Sequence, residues 1–224
     1  MTANDDRNMD REALDLALQS LAMRLDANQS DSYGLVVCGG SALILTGLVS
    51  RATRDVDVVA LLQGHSLLAP DPIPPGLAQA VREVAEDLNL SENWLNNGPS
   101  RGEGGLFQMG LPVGFRERLQ PVHYSPRLDV FFIHRMDQIH FKLYAAVDRG
   151  GYHITDLKAL NPTSDELVVA AHWAMTHDTS DAFVMLLTNL IKARVSHPGA
   201  RSTVATMGQS GCDRLWQGLD TKHN

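Results

Sequence analysis

Leu14, Leu18, Leu21 and Leu25 recur at spacings of 4, 3 and 4. That rhythm lays one apolar stripe along a helix. It predicts a helix from about Asp10 to Ala27, with Asp10 placed to cap it and Glu12 in the first turn, where a carboxylate suits the helix dipole. Tyr33-Gly-Leu-Val-Val-Cys38 is a short β-rich run that ends at Gly39-Gly40-Ser41, and Ala42 to Gly47 reads as a helix start. Asp55-Val-Asp-Val-Val-Ala-Leu-Leu62 alternates acid and valine before turning wholly apolar, which predicts a second strand. Pro70, Pro72, Pro74 and Pro75 mark a loop, and a helical period returns from Leu77 to Leu90. Residues 96–114 are Gly-rich and aperiodic, the pattern of a long surface loop.

Strand patterns resume at Leu119 to Tyr124 and Arg127 to Ile133, with Ser125-Pro126 as the turn between them. Helical patterns then cover Met136 to Val147, Thr155 to Leu160, Ser164 to His177 and Ser180 to Val195. Strands and helices in this order predict an α/β (α+β) protein with a helical region at 161–195. Residues 196–224 have few apolar positions and predict a loosely packed or disordered tail.

Composition narrows the classes. The 224 residues suit one domain with a helical appendage. A net charge of −7 disfavours a strongly basic nucleic-acid clamp, although charge is uneven, with residues 1–31 at −4 and residues 192–224 at +3. Cys38 and Cys212 cannot build a disulfide framework or a cysteine-based zinc site. No apolar run is long enough for a membrane span, and residues 1–15 are acidic with no apolar signal region, so the expected location is the cytoplasm.

The chemistry concentrates at Gly39-Gly40-Ser41 and Asp55-Val56-Asp57. A strand running through Gly-Gly-Ser into a helix offers unobstructed backbone N–H groups, a phosphate cradle to which Ser41 adds a hydroxyl. Asp55 and Asp57, two apart on a strand, share one face with Cα atoms roughly 7 Å apart. Two like charges so placed repel unless solvated or bound to a hard divalent cation, Mg²⁺ or Mn²⁺. Arg51 and Arg54 flank the pair, available to touch phosphate or to balance Asp55, and Thr53 is placed to orient the loop. Lys142, between Phe141 and Leu143 in an apolar stretch, is a candidate phosphate contact.

Gly39-Gly40-Ser41, thirteen residues, then Asp55-Val-Asp57, resembles the signature of the DNA polymerase β-type nucleotidyltransferases. Lys142, Arg149 and Asp156 extend the resemblance toward the AbiEii and MenT toxin-type nucleotidyltransferases. The chain departs from the Lys-Asp-x-x-Asp-Leu motif of that group in having Tyr152 and His153 where its Lys and first Asp fall. The resemblance covers residues 33–160 and implies a nucleotidyltransferase domain over 1–160, with a mixed sheet flanked by helices.

It further implies that Asp55, Asp57 and a third carboxylate, Asp129, hold two Mg²⁺ ions, with Asp129 assisting deprotonation of an acceptor hydroxyl. Gly39, Gly40 and Ser41 would cradle an NTP, Lys142 would neutralise it, and Asp156 would belong to the nucleotide or acceptor site. The implied acceptor is an RNA end such as a tRNA 3′ terminus, with a protein antitoxin as partner and no membrane. Two alternatives stand beside this: a small-molecule (antibiotic) nucleotidyltransferase, such as one acting on an aminoglycoside, and a non-catalytic relative that binds a nucleotide or a partner protein.

Overall fold

The computed structural model describes residues 8–195. The tail predicted at 196–224 and the basic stretch that includes it therefore lie largely outside the described residues. The elements run α1 (Arg11–Ala27), β1 (Tyr33–Cys38), α2 (Gly39–Leu45), β2 (Val56–Gln63), β3 (Ser66–Leu68), α3 (Pro75–Leu88), β4 (Leu95–Asn96), α4 (Leu106–Met109), β5 (Gln120–Ser125), β6 (Leu128–Phe132), α5 (Arg135–Asp148), α6 (Tyr152–Ala159), α7 (Ser164–His177) and α8 (Asp181–Val195).

The strands form a mixed sheet in the order β3-β2-β1-β6-β5, with β4 pairing separately to β2. β1 is antiparallel to β2 and parallel to β6. Leu35 to Cys38 are fully or almost fully buried because both faces of the sheet are covered. The predicted leucine stripe of α1 packs on one face with Leu77, Val81 and Val84 of α3, against Leu35, Val37, Val56 and Val58. On the other face Val36, Cys38, Val59 and Ile133 meet Phe115 and Phe141, which brings α5 across the sheet. Asp10 Oδ1 accepts the Ala13 N–H at 2.9 Å, so the predicted cap forms.

α5 to α8 share a separate apolar cluster that includes Leu143, Leu157, Leu167 and Leu187, joined by Leu43 of α2. A capping box starts α7, with the Glu166 N–H bound to Thr163 Oγ1 and the Thr163 N–H bound to the Glu166 carboxylate. Arg135 at the start of α5 grips both Glu166 and the Leu160 carbonyl, pinning α7 to α5.

Residues 96–114 differ from the predicted surface loop. Trp94 is fully buried, its indole N–H donating to the Val81 carbonyl at 3.0 Å, and this anchors the two-residue strand β4 beside β2. Ser100 Oγ donates to the Val59 carbonyl at 2.6 Å, and Asn97 Nδ2 to the Pro70 carbonyl at 2.9 Å. A two-residue strand is too short to show a period, and buried polar groups read as loop in a hydropathy pattern. Among the described residues, no helix is long and apolar enough to cross a membrane.

Candidate functional site

The antiparallel register sets Cys38 opposite Asp57 and so delivers the Gly-Gly turn to the acidic strand end. Gly39 takes φ +71°, a left-handed conformation that a side chain would strain. A Cβ there would stand 2.4 Å from Asp57 Oδ2. At Gly40 a Cβ would stand 2.8 Å from the Arg51 guanidinium and 3.1 Å from Thr53 Oγ1. The two glycines thus let an acid and a cation close against the backbone. Thr53 Oγ1 contacts Asp55 Oδ1 at 3.4 Å, and its backbone pairs with Met9, which fixes the turn before β2.

Asp57 lies level with Asn96 on β4. The Asn96 Oδ1 accepts the Gly98 N–H at 2.7 Å, and its side chain favours the charged form of the Asp57 carboxylate. Burial first, and the charge of Asp55 second, push the Asp57 carboxyl up to about 7 against the pull of Lys142, Asn96 and Arg149. The pair therefore has carboxylate charge in excess of what its neighbours neutralise, the electrostatic condition a divalent cation relieves.

Lys142 reaches this site from α5 with its side chain only 5% exposed, and its Nζ stands 2.8 Å from Asp156 Oδ2. Asp156, on α6 and 2% exposed, also accepts from Arg51 Nε at 3.1 Å and Nη2 at 2.8 Å. Burial would raise the Asp156 carboxyl, but the hydrogen bonds from Arg51 and Lys142 outweigh it and hold the group below the ordinary range. One buried carboxylate thus positions two cations beside the Gly-Gly turn. The Tyr152 ring stands near both, 5.7 Å from Arg51 Cζ and 5.6 Å from Lys142 Nζ. Burial, then Lys142 and Arg149, push His153 down to about 4, so it is neutral at physiological pH.

The structure brings Gly39, Gly40, Asp55, Asp57, Lys142 and Asp156 together, but two assignments change. Asp129 faces Gly34 across β1, four residues from the level of Cys38 and Asp57, or about 13 Å along the strand. Its side chain is 50% exposed and pairs with His123 Nδ1 at 2.8 Å. An acid among apolar strand residues fits the alternation at Asp129, but register decides the level, and Ile133 holds the place near Cys38, its N–H bonded to the Val37 carbonyl. Asp129 is therefore not a ligand of a cation held by Asp55 and Asp57. Ser41 is fully buried, and its Oγ donates inward to the Cys38 carbonyl at 3.3 Å, so the hydroxyl braces the turn instead of facing a ligand.

Arg51 and Asn96 are the residues that sequence reasoning underweighted. Arg51 serves Asp156, 105 residues later, a pairing that no local pattern announces. Among the described residues, no group of three or more His, Cys, Asp or Glu side chains is gathered to hold a metal by itself. Two carboxylates still fit Mg²⁺ or Mn²⁺, because Mg²⁺ is usually held by one or two carboxylates together with water and substrate phosphates.

A mixed sheet flanked by helices, with a Gly-Gly turn set against an acid pair, defines a nucleotidyltransferase-like fold. The family described as "Nucleotidyltransferase of unknown function (DUF6036)" matches residues 15–182, and the chain belongs to it. No curated protein and no solved structure matches the chain.

Proposed function

We propose that the protein transfers a nucleotidyl group from an NTP to an acceptor hydroxyl. The observation that carries this reading is the convergence on Asp57. The Gly-Gly turn closes on its carboxylate, Asp55 stands two residues away, and Asp156 secures Lys142 and Arg51 within the same site. Asp55 and Asp57 would hold Mg²⁺ or Mn²⁺, which when bound supplies charge stabilisation to the triphosphate. Lys142 and Arg51, held beside the Gly-Gly turn, would neutralise the phosphate oxygens. Asp156 keeps both cations oriented before substrate arrives. The acceptor hydroxyl attacks the α-phosphorus and releases its proton to solvent, the bond from the α-phosphorus to the α–β bridging oxygen breaks, and pyrophosphate leaves.

The acceptor proposed is an RNA 3′ end, such as that of tRNA, in a toxin–antitoxin setting in the cytoplasm. This step rests on the likeness of Lys142, Arg149 and Asp156 to the AbiEii/MenT segment. The cations at the site, Arg51, Lys142 and Arg149, favour a polyanionic acceptor over a cationic antibiotic. Incubation with each α-labelled NTP, Mg²⁺ and either tRNA, total RNA or an aminoglycoside panel tests it. Label in RNA is the expected result. Label only in the drugs overturns the RNA acceptor, and nucleotide binding without any labelled product supports the non-catalytic relative.

A further inference from the structure

Tyr152 is the first residue of α6 and is 62% exposed. An isolated exposed aromatic is ordinary on a protein surface. This one differs in what it stands beside. Arg51 Cζ and Lys142 Nζ both lie within 6 Å of the ring centroid, the range of a cation–π contact. The His153 ring adds a second aromatic group, 4.1 Å away centroid to centroid. The Tyr152 hydroxyl also feels the charges of Asp57 and Asp55, which places the ring at the same site. Gly151 (φ 57°, ψ −135°) adopts a backbone conformation open essentially to glycine, and it sets the direction from which α6 begins at Tyr152.

We infer that the exposed Tyr152 is a stacking partner for a nucleobase, the base of the NTP whose phosphates meet Lys142 and Arg51. This inference rests on the nucleotide reading above and adds a base subsite to it. A base joined to phosphates held by those cations is one ribose away from them, and the exposed aromatic surface beside the cations is that of Tyr152. The cations near the ring are held by Asp156, so the platform is built before a ligand arrives. Stacking on an aromatic ring is tolerant of base identity, because every base has a π-face. The subsite therefore takes all four nucleoside triphosphates, with the larger purines favoured.

Calorimetric titration of the full chain with ATP and Mg²⁺, and separately with tripolyphosphate and Mg²⁺, tests the platform. Tyr152→Ala is expected to weaken ATP binding about tenfold, within the range for losing one base–aromatic stack. Tyr152→Phe is expected to bind ATP like the wild type, and neither substitution is expected to change tripolyphosphate binding. Unchanged ATP affinity in Tyr152→Ala overturns the inference. So does an equal loss for ATP and tripolyphosphate, which would show that Tyr152 acts only by arranging Lys142 and Arg51. A wild-type protein that binds neither ligand overturns the nucleotide reading itself, a result distinct from both.

Discussion

The side-chain amide of Asn96 favours the charged form of the Asp57 carboxylate while its own oxygen is held by the Gly98 N–H. It stands on β4, level with Asp57 across the sheet. The side chain on β4 level with Asp57 is thus an amide, so that Asp55 and Asp57 are the carboxylates that would meet a cation. Asn96→Asp replaces a donor by a third negative charge. The metal-free variant should be less stable than wild type at pH 8, and Mn²⁺ should raise its melting temperature more than it raises that of wild type. Thermal melts with and without Mn²⁺ check this, and equal shifts in the two proteins would contradict it.

Asp57→Asn should stabilise the metal-free fold at high pH. The carboxyl is pushed up to about 7 in the folded protein from its ordinary 3.8. Between those values the unfolded chain has released its proton and the folded chain has not, so stability falls as pH rises through the window and the full cost stands above pH 7. The variant should gain about 2 kcal/mol over wild type at pH 8, allowing for the partial exposure of the group, and nothing below pH 4. Urea midpoints across pH read the difference.

His153 gives the opposite slope. Its imidazole is pushed down to about 4 in the folded protein from its ordinary 6.5. As pH falls through this window the unfolded chain takes up a proton that the folded chain refuses, so stability is lost on acidification. Relative to His153→Gln, wild type should lose about 3 kcal/mol between pH 7 and pH 4. Parallel denaturation curves for the two proteins would sink the assignment.

Gly39→Ala places a Cβ against Asp57 Oδ2 and forces a side chain into a left-handed backbone. The backbone strain alone costs about 1–2 kcal/mol. Displacement of Asp57 should lower nucleotidyl transfer more than tenfold, well beyond the fraction of protein unfolded. A folded Gly39→Ala protein with wild-type turnover would show that the close approach is not used.

Asp156→Asn leaves Lys142 buried without its ion-pair partner. A loss of about 3 kcal/mol is expected, since removing one member of a buried pair strands the other charge. Double substitution with Lys142→Met should recover most of that stability without restoring any activity. Independent, additive losses in the double-mutant cycle would contradict the coupling.

The sequence carried the local features of the fold well. The α1 leucine stripe, the β1 run, the acid–valine alternation of β2 and the period of α7 each predict the observed element to within a residue or two. The acid pair and the Gly-Gly turn are legible for the same reason, because strand alternation and glycine freedom are local. Asp129 shows the limit. Its alternation is right, but its level in the sheet depends on the β1–β6 register, which local pattern does not encode. The Arg51–Asp156 pair and the β4 placement of Asn96 depend on contacts between distant segments, and Trp94, buried against α3, is the only local hint that β4 enters the sheet.

Nucleotidyl transfer itself is tested most directly by following the α-phosphate. With α-labelled NTP, Mg²⁺ and RNA, wild-type protein should move label into the RNA and release pyrophosphate in equal amount, while γ-label should appear only in pyrophosphate. Asp57→Ala and Lys142→Ala, each shown to be folded, should form at least a hundredfold less product, or about 2.7 kcal/mol of lost transition-state stabilisation. Absence of product from wild type with every NTP and acceptor, or equal product from Asp57→Ala, would contradict the account.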